Sequence, residues 1–283
     1  MAFNKIQEYI TTGAGAEGTL LVPKLILPTL IEAVDKALLP REMAAMVLNG
    51  FEGSSISVNL VTPTSNRIRN VAEGGEIPLD SIDFSAVTFT PKKYGVAVRI
   101  TREMTEDSQF DIVQANLKEV GKRFAENETS LILTALDGAS NTVTGGAALT
   151  IANISTAILN LHNNDFNGTD LLVGYEALSD LQNIDTFVEA DKAGNTEMMS
   201  RGYVGTIFGA KVSSFSTNAA PTATYAKYAY AFDRSQAYGI AIKRDITVEN
   251  FVLPTSDMEG AAVTQRIEVK LLRAAAVSNI TTS

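Results

Sequence analysis

The chain has 283 residues, 45 % of them hydrophobic and 19 % charged, enough for a core of one large domain or two small ones. It has no cysteine and one histidine, His162, which excludes disulfides, thiolate nucleophiles, Cys-type zinc sites and multi-histidine metal sites. The formal net charge of −9 argues against tight, non-specific coating of nucleic acid, which rests on Lys and Arg neutralising phosphates.

No apolar h-region opens the chain, and the apolar stretch Leu20 to Val34 is interrupted by Pro23, Lys24 and Pro28. Neither a signal peptide nor a membrane span is expected, and synthesis in a reducing cytoplasm is. Residues 1–19 read as a flexible arm with Gly13, Gly15 and Gly18. Residues 28–48 read as a helix, ended or kinked by Pro40.

Residues 55–62 alternate Ile56, Val58 and Leu60 with Ser55, Ser57 and Asn59, the pattern of a half-buried strand. A polar stretch follows to 83, then alternation resumes over 84–100. The pair predicts a hairpin with its tip around Arg69 to Glu76, too small to be stable without a surface to lie on. Its charged residues Arg67, Arg69, Glu73 and Glu76 would give register with complementary charges on a neighbour.

The clearest element is a helix over 109–137, with Ser108 as N-cap and Gly138 as C′ stop. Val113, Leu117, Val120, Phe124, Leu131 and Ala135 form its apolar stripe. Asn116, Lys118, Lys122, Arg123 and Glu126 form the opposite face. At 1.5 Å per residue it would run about 43 Å, the length of a spine for other elements. Beyond it, helices are expected at 153–163 and 175–184, and strands at 169–173, 206–214, 227–232, 236–243 and 245–251. A long loop is expected at 185–205 and a final long strand at 262–280.

Chemical motifs are weak. Gly13-x-Gly15-x-x-Gly18 has the dinucleotide letters but neither the strand before nor the helix after. Asn163-x-Asp165-x-Asn167-Gly168 resembles half a calcium loop, but the closing Glu is replaced by Gly174, and a turn explains it. The acid pairs Asp80/Asp83, Glu189/Asp191 and Glu73/Glu76 read as solvated. No catalytic residue, cofactor or metal ligand is expected.

The order of parts carries a resemblance. A glycine-rich arm and LLVPKLILPTLIEAV come first, then VAEGGEIPLDSIDFSAVTFTPKKYGVAVRITREMTEDS, a long helix ending FAENETSLILTALDG, TDLLVGYEALSDLQNI, IFGAKVSSFSTNAA and AYAFDRSQAYGIAIKRDITVEN. This set resembles the HK97-like major capsid proteins of tailed bacteriophages over nearly the whole chain. The resemblance implies an α+β fold with an N-arm (1–34), a peripheral P-domain (35–62, 92–148 and 252–283), an extended E-loop (63–91) and an axial A-domain (149–251). It implies a virion shell of pentamers and hexamers that encloses double-stranded DNA without sequence-specific binding, with portal and scaffold proteins as partners. If Met1 is the true start, there is no room for a scaffolding extension, so a separate scaffold, or none, would be needed. No lysine lies between Pro63 and Pro91, so no E-loop lysine crosslink is expected. The alternatives are an encapsulin-type nanocompartment shell, a hydrolase using acidic residues, and a tail-associated structural protein.

Overall fold

A computed structural model of the chain describes residues 40–61, 70–71, 73–77, 84–101, 103, 112–184, 205–215 and 220–282. The expected arm, the 28–39 part of the first helix, the GxGxxG motif, Ser108 and most of the 185–205 loop lie outside the described residues.

Two sheets and a spine organise the fold. The four-stranded sheet has the order β1 (Met46–Asn49), β10 (Tyr238–Leu253), β11 (Met258–Leu271) and β4 (Lys92–Thr101). The six-stranded sheet has the order β5 (Asn141–Thr144), β12 (Val277–Thr281), β9 (Ala229–Phe232), β6 (Asp170–Gly174), β8 (Ala210–Phe215) and β7 (Thr206–Ile207). The hairpin pairs β2 (Ile56–Val61) antiparallel with β3 (Phe84–Phe89), Ile56 facing Phe89 and Val61 facing Phe84.

The long helix α1 (Ile112–Leu136) spans about 38 Å. Its first half lies on the four-stranded sheet, where Val120, Phe124 and Ala125 pack with Ile246 and Val263. Its second half turns toward the junction of the sheets, where Ile132, Leu133 and Leu136 pack with Tyr230, Phe232, Tyr238, Ile240 and Val277. The other face of the six-stranded sheet is covered by α2 (Ile151–His162) and α3 (Tyr175–Gln182), with Leu171, Val173, Ala229 and Ile280 beneath them. Thr150 caps α2, its side chain accepting from Asn153 N–H at 3.3 Å.

Four segments differ from the sequence expectation. The 40–48 part of the expected first helix is a 3-10 turn at Pro40–Met43 followed by strand β1 from Met46. Segment 206–214 is not one strand but a tight hairpin, because Phe208 and Gly209 take φ of 50° and 85° and reverse the chain between β7 and β8. Segments 236–243 and 245–251 are one strand, β10, with register shifts between Ile242 and Arg244 and between Arg244 and Thr247. Segment 262–280 is two strands in different sheets, separated by a 3-10 turn at Ala274–Ala276.

The sheets therefore divide the chain at other places than 148/149 and 251/252. β10 crosses the second boundary within one strand and belongs to the four-stranded sheet, while β5 and β12 belong to the six-stranded one. Gly138 does not act as a left-handed stop, since it has no positive φ. Its lack of a side chain instead admits Leu271, whose Cδ1 would stand 3.3 Å from a Cβ there.

Candidate assembly surfaces

The hairpin is plugged by a buried ring at one end, and its apolar side chains are bare at the other. At the root, Phe89 is fully buried. Lys270 Nζ donates to the Thr88 carbonyl near this end at 2.7 Å, and Arg273 Nη2 donates to the Val61 carbonyl at the outer end of β2 at 2.8 Å. Lys243 donates to the Gly53 carbonyl, and Thr90 N–H donates to Glu268. Cations on carbonyls grip the backbone of both strands, whatever side chains those strands carry.

Farther out, the apolar side chains lose their cover. Phe84 is 69 % exposed and Val61, its cross-strand partner, 51 %. Ile77, in the described part of the connecting loop, is 74 % exposed. Such an apolar run on a projecting arm marks a surface made to be covered.

Of the four charged loop residues singled out in the sequence, Glu73 and Glu76 are exposed beside Gly74, whose φ is 76°. Arg67 and Arg69 lie outside the described residues.

Of the four spine residues, Val120 and Phe124 are buried. Val113 and Leu117 are helical in backbone, but their side chains lie outside the described set. Leu131 and Ala135 are only half-buried, while Ile132, Leu133 and Leu136 are fully buried. Steps of four advance the face by about 40° each, so the buried row winds around the helix as α1 passes from one sheet to the other.

Sequence reasoning missed a polar group on that row. Glu128 is fully buried and receives Arg41 in a bidentate pair, Nη2 at 2.5 Å and Nε at 3.2 Å. Gln265 Nε2 donates to the same carboxylate at 2.5 Å. Burial raises the Glu128 pKa, against the opposing pull of Arg41 and the Gln265 hydrogen bond. A second polar cluster closes the far end of α1. Asp137 accepts from Tyr225 OH at 3.2 Å and from Asn279 Nδ2 at 3.0 Å. Burial, then the nearby Asp137 charge, pushes the Tyr225 phenol up to about 12.

His162 ends α2 and is exposed. The calcium-like segment is a turn. Asp165 takes φ of 61°, and Asn167 N–H donates to Asp233 at 3.1 Å. Among the described residues no three acidic or histidine groups could hold a metal ion. None of the described helices is long and apolar enough to cross a membrane.

A long spine helix bridging a strand-rich layer and a mixed α/β layer, with a tethered hairpin projecting from their edge, defines the HK97-like class of shell proteins. The chain belongs to the phage capsid family, whose model matches residues 18–281. Solved structures share the fold. A chain of Mycobacterium phage Che8 aligns with a TM-score of 0.68 at 17 % identity, over 81 % of this chain and 85 % of that one. A chain of Microbacterium phage Oxtober96 gives 0.65 at 16 %, over 84 % and 90 %. The capsid of cyanophage P-SCSP1u gives 0.64 at 14 %, over 85 % and 86 %. No curated protein matches the sequence significantly. The protein is thus a major capsid shell protein, a structural component of the virion, acting as many copies and not as an enzyme.

Proposed function

We propose that the shell built by this chain is icosahedral, is assembled from pentamers and hexamers, and encloses the double-stranded DNA of a tailed phage. The observation that carries the reading is the hairpin, plugged at Phe89 and gripped along its backbone by Lys270 and Arg273, yet with the side chains of Val61, Ile77 and Phe84 bare. An arm with an anchored root and an uncovered apolar end is suited to lie on a neighbouring copy. Arg67, Arg69, Glu73 and Glu76 at its far end would set register there by charge pairing. In this reading residues 1–34 are the N-arm, the four-stranded sheet and α1 form the peripheral domain, and the six-stranded sheet with α2 and α3 forms the axial domain. The net charge of −9 suits a wall that holds DNA without gripping it. Scaffold and portal would be separate proteins, and synthesis would take place in the bacterial host's cytoplasm.

Negative-stain microscopy with light scattering on the purified chain tests this. Closed shells, or rings that convert to shells when a scaffold candidate is added, support it. DNA in shells recovered from infected cells separates a phage head from an encapsulin-type compartment, which would hold protein cargo. A monomer that persists at high concentration with scaffold present overturns it.

A further inference from the structure

Residues 40–50 form a strap along the outside of the subunit. Pro40–Met43 is a 3-10 turn against α1, and β1 pairs, among the described strands, with β10 alone, in parallel register from Met46 opposite Gly239 to Asn49 opposite Ile242. The strap has few anchors. Met43 is a buried plug, Ala45 N–H reaches the Tyr238 carbonyl at 3.0 Å, Gly50 N–H reaches the Ile242 carbonyl at 3.0 Å, and Arg234 donates to the Glu42 carbonyl. Among the described residues its ionic anchor in the interior is Arg41 on Glu128.

We propose that Arg41, Glu128 and Gln265 form an acid-sensitive clasp that holds the strap 40–50 on the spine helix. The clasp has two states, each with its own hydrogen bonds. In the charged state the Glu128 carboxylate takes both Arg41 bonds and the Gln265 amide N–H. The Gln265 carbonyl oxygen, buried beside it, then has no partner. In the neutral state Glu128 carries an O–H. Once the Gln265 amide turns over, that O–H can be given to the orphaned oxygen. The carboxyl is then satisfied without Arg41.

Arg41 is free to leave. Its side chain is already 23 % exposed, and exposed Asp245 lies 4.0 Å from it as an alternative partner. The charged groups that act on Glu128 are Arg41, from the strap, and Asp245, from β10; the first favours the ionised carboxyl and the second opposes it. Burial raises the pKa even with Arg41 in place, so release of Arg41 must raise it further. By linkage, protonation favours the released strap by the same factor. Each unit of pKa difference between the two states shifts the docked-to-released ratio about tenfold on full protonation. The clasp does not depend on what the shell encloses.

The chain has no cysteine, so E42C places a single thiol on the exposed side of the strap. A spin label there, on the full-length chain, reports strap mobility as pH falls from about 7 to about 4, across the ordinary carboxylate range. Light scattering and circular dichroism at each pH confirm constant assembly state and fold. The expected result is an immobile label near neutrality and a mobile one in acid. In E128Q, which is neutral at every pH, the acid transition is absent, and in R41Q the label is mobile throughout. Should E128Q fail to fold, R41Q still decides the matter. An acid transition that persists in either variant, or a wild-type label that never changes, overturns the proposal.

Discussion

Phe89 and Gly239 meet where the hairpin joins the body: a Cβ on Gly239 would stand 3.2 Å from Phe89 Cζ, with Leu272 Cδ2 at 3.4 Å on the other side. The ring is fully buried although Phe84, five residues back on the same strand, is 69 % exposed. The hairpin is thus plugged at one end into a slot that β10 leaves open by lacking a side chain. F89A removes the plug and leaves a cavity that Leu272 and Gly239 cannot fill. It is expected to lower unfolding stability by about 3 kcal/mol. In hydrogen exchange it should deprotect Ile56–Val61 ahead of the sheets. Unchanged protection of those amides would show that the lysine and arginine grips alone hold the root.

The outer end calls for the opposite result. Phe84 and Val61 are paired across the hairpin, and their side chains are largely exposed, the Arg273 bond to Val61 being to its backbone carbonyl. F84S with V61S is expected to shift subunit stability by no more than about 0.5 kcal/mol, as ordinary surface substitutions do. Shell yield should collapse, as measured by sedimentation of assembled particles. A normal yield of shells would remove the hairpin from the assembly contacts.

Gly260 is needed for packing at close range. A Cβ there would lie 2.5 Å from the Val98 carbonyl oxygen and 2.6 Å from Phe251 Cζ. Phe251 can swing away but the Val98 carbonyl is part of the β4–β11 ladder. G260A should therefore cost about 2 kcal/mol by overpacking. G260A with F251A should recover only part of the loss in chemical denaturation. Full recovery would place the whole conflict in the ring.

Much of this was legible in the sequence and some was not, for identifiable reasons. The alternation of Ile56, Val58 and Leu60 marks β2 because one face of the strand is covered and the other is not. The break at Ala274–Ala276 escapes notice because LLRAAAV has one charged residue, Arg273, and no Gly, Pro, Asn or Asp, so the passage from one sheet to another lacks the usual turn residues. The Phe208–Gly209 turn hides for a related reason, since a bulky residue stands where Asn or Asp is the usual signal. Glu128 had a signal. The row Val113, Leu117, Val120, Phe124, Leu131, Ala135 skips one place, four residues after Phe124, and Glu128 occupies it. A lone acid on an apolar row is buried with a partner or else breaks the row. The partner, Arg41, is 87 positions away and only the fold reveals it.

The pH dependence of global stability follows from the same carboxyl, and its sign is opposite to that of an ordinary salt-bridged acid. The folded pKa of Glu128 is raised, so its contribution to stability is full below the unfolded value of 4.5 and is lost as pH rises through the folded pKa. E128Q does not titrate. Relative to wild type, E128Q should lose most in acid, and its deficit should shrink as the pH is brought to neutrality, as followed by denaturant midpoints with unchanged slope. A deficit that grows toward neutrality would mean that Arg41 outweighs burial. Removing the acid outright with E128A should cost less than the roughly 3–5 kcal/mol typical of a broken buried pair, because Arg41 is 23 % exposed and can turn to water.

Phe208 sits with φ of 50°, a left-handed conformation that a bulky residue adopts only under constraint, and yet 58 % of it is exposed. With its ring more than half exposed, Phe208 gains little packing from the described part of its own subunit. F208N and F208G both suit the type I′ geometry that Phe208 and Gly209 impose between β7 and β8. Each is expected to stabilise the isolated subunit by about 1 kcal/mol, the scale of left-handed strain for a residue with a Cβ. A ring kept at that expense is explained if a neighbouring copy covers it in the shell. The same substitutions should then raise the melting temperature of the subunit and lower the yield or stability of assembled particles. A gain in both would show that Phe208 serves no contact between copies and that the strain is idle.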